Sequence, residues 1–572
     1  MSSNNIIVRE YLSSLKEDTE LDYLFPLLLI IMGFRIIQTA KESKGQSQYG
    51  KDIVAIGTDE KGDKYRWYFE LKGYTDKDIS DKNYSIPDGI RESIIEAKDT
   101  AFKDSSIPEF NNLPIKIVLV HNGVLKTNIR PTFEGFITRE FEDGQFERWD
   151  IYFLTDLFSQ FLFSEYLLLD SESNRLFKKT LAFLDTPDYD YRDFKNLVKL
   201  QFDKINSIKG RAFRKLFATL GLLESLIFHY SKENDNLVPA KECSKHLILS
   251  TWHWILSNNL EKRKAVLNEF KKLLNIQYDI FNLYFRKTFQ IAKLENGLYA
   301  ENGLFFEKIG YPIRCFDYLD DVIYFCRLRD NYPHYNFPSK HISKIKNKQK
   351  DLIIELIENN SGFYIPIMDN NSIPIIQLFL FIADKNYLRQ KDIEFLVSYI
   401  FKVIYSINIE KVKHNRFPEL YNNLNAVIET IALNEKSEEY CDSSSILIAT
   451  LLELMVVFNS KEMFEEILKY IDNDLSLQIA SISFEEYDVE QLLFEKHLHN
   501  EYHVECIERL PKSLKYLKVE KDFESFKKST KDKIESLHEY RTDKAGYSFL
   551  RYLAHSYYKN EILPEEWRQY IE

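Results

Sequence analysis

Cysteine is scarce, five in 572 residues. That excludes a disulfide-framework protein and fits a reducing compartment. Long apolar runs are missing too. The longest, Leu27–Phe34 and Ile446–Phe458, are too short or too interrupted to span a bilayer, so no membrane partner is expected. The stretch Met1–Glu20 carries Glu10, Glu17, Asp18 and Glu20 and has no uninterrupted apolar centre. It does not read as a secretory signal, and a cytoplasmic location is expected. An excess of positive charge is absent: 76 Lys+Arg stand against 88 Asp+Glu, a net charge of −12. This excludes coating nucleic acid through bulk charge but leaves room for a local basic groove. No G-x-x-x-x-G-K-[ST] occurs, so any nucleotide hydrolysis that gates the chain must come from a partner. No repeat of fixed period is evident, which argues against a solenoid.

What remains is globular composition, 44% apolar and 29% charged, at a length expected for two to four domains. Residues 1–165 read as mixed α/β. An apolar helix covers Asp22–Met32, and Pro26 inside it would start that helix near Phe25 and leave Glu20 outside. Strands are expected at Phe34–Gln38, Asp52–Ile56 and Tyr65–Lys72, the last two joined by the polar turn 59–64. Ile90, Ile94, Ala97 and Ala101 give a helix over Asp88–Lys103 one apolar face. Ile115–Val120 is almost wholly apolar and reads as a central strand. A last strand is expected at Asp150–Leu154, with Thr155 capping a helix that buries Leu157, Phe158, Phe161 and Leu162.

Beyond residue 165 amphipathic helical windows dominate, among them Phe213–Tyr230, Val266–Ile291, Ile353–Glu358, Leu424–Leu433, Ile446–Phe458 and Ser525–Leu537. Three domains are expected: 1–165; a helical 166–345 for DNA or partner binding; and a helical 346–572 for sensing or oligomerisation. HISKIKNKQK, residues 341–350, interrupts the pattern at the boundary between the last two, and its KIKNKQK run, residues 344–350, reads as an exposed linker. Residues 1–170 hold 20 Lys+Arg against 29 Asp+Glu, a net of −9, and the remainder 56 against 59. Cations cluster just after the acidic part, from Arg175 through Lys204 to Lys215, with aspartates interspersed.

One arrangement carries chemistry. Asp52 opens a strand, and on the next strand Arg66, Tyr68, Glu70 and Lys72 share a face while Tyr65, Trp67, Phe69 and Leu71 take the other. Adjacent strands can bring Asp52 within reach of Glu70 and Lys72. A hard divalent cation wants oxygen ligands, and Mg²⁺ typically keeps several waters beside one or two carboxylates. Asp52 and Glu70 can supply these and the carbonyl of Leu71 a further oxygen. Lys72 can orient a water or stabilise the oxyanion.

The segments YGKDIVAIG, residues 49–57, and YRWYFELKG, residues 65–73, resemble the PD-(D/E)xK restriction-endonuclease-like superfamily, in its Mrr-like and bacterial-defence form. WDIYFLTDLFSQFLF, residues 149–163, is similar to its closing strand and helix. The resemblance covers about the first quarter of the chain. It implies an α/β restriction-endonuclease-like N-terminal domain, a mixed sheet flanked by helices, followed by a large mostly α-helical region. It further implies an acid on the first helix, Glu20 or Asp22, as a fourth catalytic residue beside Asp52, Glu70 and Lys72. The implied activity is a Mg²⁺- or Mn²⁺-dependent endonuclease acting on double-stranded DNA. The implied setting is an anti-phage effector, a homo-oligomer or a complex with a separate ATPase or sensor subunit. The alternatives are an inactive nuclease-fold scaffold and a sequence-specific restriction enzyme.

Other candidates are weaker. His497, His499 and His503 lie near Cys506 without the second ligand pair of a structural zinc site. Cys315 and Cys326 read as small buried residues. The lysines of Lys512–Lys533 read as a solvated amphipathic helix.

Overall fold

The structure is a computed structural model. It describes residues 3–571 except 40–49, 60, 74–75, 88, 164–167, 169, 206–209, 332–338, 444, 475–478, 483–489, 491–492, 495–513, 518–521, 533–539 and 560–565. His497, His499, His503 and Cys506 lie outside the described residues. The chain divides into two compact units: residues 1–247 with 268–276, and residues 248–267 with 277–572.

In the first unit, helix α1 (Ser3–Ser13) leads through a π-helical turn, Glu17–Leu21, into α2 (Asp22–Ile31). A sheet of five strands follows: β1 (Arg35–Gln38), β2 (Ile53–Thr58), β3 (Lys64–Lys72), β4 (Ile115–His121) and β5 (Phe146–Trp149). They lie in sequence order, with β1, β2 and β3 antiparallel and β3, β4 and β5 parallel. Helix α3 (Ile90–Asp99) crosses over from β3 to β4, and α4 (Arg130–Glu140) from β4 to β5. Such crossovers are what parallel neighbours require. Helix α5 (Ile151–Phe161) follows β5.

Both faces of the sheet are covered. Ile90, Ile94 and Ala97 of α3, with Phe133 and Phe136 of α4, pack on Val54, Ile56, Tyr68, Ile117 and Leu119. The other face carries aromatic rings. Phe25 of α2 meets Phe69 at 5.3 Å and Trp149 at 6.0 Å, and Phe34 meets Trp67 at 5.3 Å. Each such ring buries on the order of 150–250 Å², roughly 4–6 kcal/mol of transfer free energy, so packing rather than propensity fixes β3. Arg66 and Tyr68 are therefore buried rather than solvated. Arg66 donates to the carbonyls of Leu113 and Phe102, and the Tyr68 hydroxyl accepts from the Phe102 N–H at 3.0 Å.

Three expectations are corrected. The last strand ends at Trp149 and does not run over Asp150–Leu154. Asp150, not Thr155, caps α5: its Oδ1 accepts from the N–H groups of Tyr152 and Phe153, while Thr155 bonds back to the Ile151 carbonyl. A short apolar run fits strand and helix alike, and here the cap decided. Pro26 lies inside α2, which starts at Asp22. α1 and α4 had no counterpart in the reading; Pro131 and Gly135 break up α4's pattern, yet Pro131 sits in its first turn, where a missing N–H costs nothing.

The first unit continues with α6 (Ser171–Ala182), α7 (Arg192–Asp203) and α8 (Gly210–Glu233). α1 packs against α5 and α8. The second unit is mostly helical, with a two-stranded ribbon, Ile479–Ile482 against Leu514–Leu517. That ribbon and helix Phe523–Asp532 replace the single helix expected over Lys512–Lys533. Helices Ser372–Ile382 and Ile446–Val457 are buried on nearly every side. The run expected as a linker, 344–350, lies inside helix Ser339–Glu358. Lys344 and Lys348 stay exposed on one face while Lys350 turns inward, its Nζ donating to the carbonyls of Ile382 and Tyr387 at 2.7 and 2.9 Å. Cys315 and Cys326 are buried, as expected. Among the described residues no helix is long and apolar enough to cross a membrane.

Asn122, just past β4, holds α1 to the end of the sheet. Its Nδ2 donates to the carbonyls of Leu12 and Leu15 at 2.7 and 2.9 Å, partners that a helix C-terminus otherwise lacks. Asn122→Ala removes both bonds: the Leu12 carbonyl keeps the Leu15 N–H at 3.1 Å, and the Leu15 carbonyl loses its Asn122 donor. It should cost about 2 kcal/mol, read as a lower urea midpoint of the first unfolding transition at unchanged slope. An unchanged midpoint would mean that the clip contributes nothing.

Candidate active site

β2 and β3 pair with Ile53 opposite Phe69, and the Asp52 N–H donates to the Phe69 carbonyl at 2.9 Å. The ladder thus extends one residue beyond β2 and sets Asp52 opposite Glu70. Both carboxylates are buried, Asp52 9% and Glu70 5% exposed. Asp52 Oδ2 accepts the Leu71 N–H at 2.7 Å, which fixes its direction. Lys72 Nζ lies 2.8 Å from Glu70 Oε1. Asp52, Glu70, Leu71 and Lys72 therefore meet at one end of the sheet, as the alternation along β3 requires.

Of the two first-helix acids, neither is brought to this cluster. Glu20 turns away: its Oε2 accepts the Lys16 N–H at 2.7 Å and its Oε1 pairs with Lys215 of α8 at 2.5 Å. Asp22 is half-buried in the first turn of α2. Glu17 is the acid at the site, with Oε1 3.7 Å from Lys72 Nζ and Oε2 accepting the Gly73 N–H at 3.2 Å. Gly73 makes this approach possible, since a Cβ there would stand 2.5 Å from the Glu17 backbone nitrogen. The signal in the sequence was a cluster of acids, Glu17, Asp18 and Glu20; only the π-helical turn decides which of them faces β3.

Further polar groups gather nearby without having been foreseen. Lys51, next to Asp52, is buried over the Tyr68 ring at 5.4 Å. Burial pushes its pKa down to about 8, against the pull of Glu70 and Glu96. His121 ends β4 opposite Lys72. A polar pair, His121-Asn122, closing the apolar run Ile117–Val120 was the available clue.

Burial, reinforced by the neighbouring Glu70, pushes the Asp52 carboxyl well above the ordinary range, while Lys72 and the Leu71 N–H pull it back. For Lys72 burial works against the ammonium, but Glu70, Glu17 and Asp52 outweigh it and hold its pKa above the ordinary lysine value. Among the described residues no group of three or more His, Cys, Asp and Glu side chains is placed to hold a metal ion.

The Asp52 shift has a testable consequence. A carboxyl whose pKa is higher folded than unfolded favours the folded state at low pH. That contribution is lost as pH rises from the unfolded value through the folded one. Asp52→Asn removes the penalty of holding the charge. In chelator, the variant should melt above wild type near about pH 7, with the gap closing toward about pH 4. Equal melting points at both pH values would show that the pair is not strained in this way.

No protein-family model, curated protein or solved structure matches this chain, and the superfamily resemblance rests on its own residues.

Proposed function

We propose that this chain is a Mg²⁺- or Mn²⁺-dependent endonuclease that hydrolyses phosphodiester bonds of double-stranded DNA, as the effector of a bacterial anti-phage system. The observation that carries the reading is the burial of Asp52 opposite Glu70 with Lys72 against them. Two like charges set side by side out of water cost energy that a purely structural pair does not return. Strained ionisable sets of this kind cluster at functional sites.

The residues suit a small hard cation. Two carboxylates that repel each other, one with a raised pKa, are relieved by a divalent ion that keeps several waters beside one or two such ligands. Asp52 and Glu70 would hold it, with the Leu71 carbonyl as a further oxygen. Bound there, the ion supplies Lewis acidity and offsets phosphate charge. Lys72 stays protonated, so it serves as a donor and not as the base. It has three N–H donors and two carboxylate neighbours, Glu70 and Glu17, which leaves a donor for the charge developing on the phosphoryl oxygen. Glu17 keeps the ammonium charged and in place.

Cleavage needs only the sheet and its helices. The second, mostly helical unit is then available for a trigger, for DNA, for a further copy of the chain or for a separate ATPase or sensor subunit. The absence of a P-loop motif from the sequence supports an external source for any nucleotide hydrolysis.

The test uses the full chain on supercoiled and linear duplex DNA with Mg²⁺ or Mn²⁺. Asp52→Ala should abolish cleavage. Lys72→Ala should lower kcat by roughly 10²–10³-fold with little change in duplex affinity, and Lys72→Arg should rescue only in part, because a planar fork does not replace a point charge. Glu17→Gln should impair turnover more than Glu20→Gln. Either cation should raise the wild-type melting point, by about 2.7 kcal/mol of stability at a hundredfold excess over Kd, and should fail to do so for Asp52→Ala. Cleavage at the wild-type rate by Asp52→Ala would refute the site.

A further inference from the structure

Across β3, β4 and β5 a second row of side chains runs beside the carboxylates. Glu70 is in register with Leu119, and Leu119 with Arg148; one step on, Lys72 is in register with His121. Parallel neighbours in register share a face, so Arg148 projects on the face that carries Glu70 and Lys72. Trp149, the next residue, packs on the opposite face against Phe69.

The His121 imidazole lies between Lys72 and the Arg148 guanidinium and is fully buried. Its Nδ1 is 2.8 Å from the Lys77 carbonyl oxygen, which can only accept, so Nδ1 carries the proton. Nε2 then presents a lone pair, and Arg148 Nη1, which can only donate, is 3.1 Å away. Burial keeps the ring neutral, with its pKa pushed down to about 4. The same Nη1 donates to Asp150 Oδ2 at 3.0 Å, and Asp150 is itself fixed as the cap of α5. Two acceptors on rigid elements thus hold one nitrogen of the guanidinium. Its Nε and Nη2 take no partner among the described residues, and the side chain is 20% exposed.

An ion pair with Asp150 alone would need no buried histidine. The histidine adds direction, and it does so without adding charge. The need for a directed cation is plain: Asp52, Glu70 and Glu17 outnumber Lys72, and residues 1–170 carry a net of −9. A polyanion reaching this site has to be held by cations placed beside the carboxylates. Arg148 stands two strands from Glu70, roughly 10 Å at ordinary strand spacing. That is too far to share the phosphate being cut and suits a neighbouring one. A guanidinium with its Nε–Nη2 edge free is the group that binds phosphate through paired N–H donors.

We infer that Arg148 binds a backbone phosphate flanking the one at Asp52 and Glu70, and that His121 is a positioning residue that aims it. The inference rests on the nuclease reading, and the readouts separate the two. Binding of a labelled DNA duplex to the full chain is followed in chelator over a range of salt, and cleavage is followed with Mg²⁺. Arg148→Gln should weaken binding roughly tenfold, lower the salt slope by about one and raise KM while kcat stays within about threefold. Arg148→Lys should restore the slope but only part of the affinity. His121→Leu keeps the cation and loses its aim, so affinity should fall with the slope unchanged. Melting curves identify any variant that fails to fold; if Arg148→Gln does, Arg148→Lys decides, by full or partial affinity. Wild-type cleavage together with unchanged binding and slope in Arg148→Gln overturns the inference and leaves the nuclease reading standing. No cleavage by wild type, with binding that depends on Arg148, does the reverse. A wild type that neither binds nor cuts DNA overturns both.

Discussion

The juxtaposition of Asp52 and Glu70 across β2 and β3 is the constraint around which the first unit is arranged. Neither carboxylate can be buried cheaply, and burying both adds their repulsion. The structure contains that cost with local means: the Leu71 N–H on Asp52, the Lys72 ammonium on Glu70, and Glu17 beyond it. The packing on either side is apolar or aromatic. It fixes the strands firmly enough to hold the charges where they do not relax apart.

Holding Glu17 there depends on three small features acting together. Gly73 allows the chain to pass close, Asn122 clips the end of α1 over the sheet, and the π-helical turn sends Glu17 and Glu20 in different directions. Glu17 reaches the site while Glu20 is held by Lys215 of α8. A displacement of α8 against α1 would therefore bear on the turn that supplies Glu17. Helix α1 is tied in the same way at its other side, by Glu10 with Lys272 at 2.7 Å.

Much of this is legible in the sequence, and the limits have physical causes. Alternation along Tyr65–Lys72 placed Glu70 and Lys72 on one face, because a strand's period of two admits no other solution. The strand before it placed Asp52 for the same reason. Glu17 was not legible, since a π-turn shifts the angular order of neighbouring acids and no local signal in EDTEL demands one. Arg148 and His121 were out of reach for another reason. Their relation to Glu70 passes through two parallel pairings, and register between strands so far apart in sequence is set by the packing of α3 and α4, not by the strands themselves. The shift of the last strand from Asp150–Leu154 to Phe146–Trp149 belongs here too. An aspartate that caps a helix and an aspartate that opens a strand look alike until the backbone N–H groups find their acceptor.

Charge is the point at which fold and chemistry bear on each other most directly. Cations cluster in the sequence just after residue 170. Four of them are engaged with carboxylates: Arg175 with Glu172, Arg192 with Asp190, Lys204 with Asp170, Lys215 with Glu20. Paired cations are weak long-range attractors, because the field of each is largely cancelled by its partner and the rest is screened within about 10 Å. Under the proposed function, an acidic sheet domain has to rely on short-range recognition, in which the position of each donor matters more than the number of positive charges. That places the burden on groups fixed on the same face of the sheet as the carboxylates, Lys72 beside them by its two acids and Arg148 two strands away by a neutral ring and a helix cap. Both are built into the strands that carry Glu70 and its neighbours, so the same register that buries the carboxylates also spaces the cations.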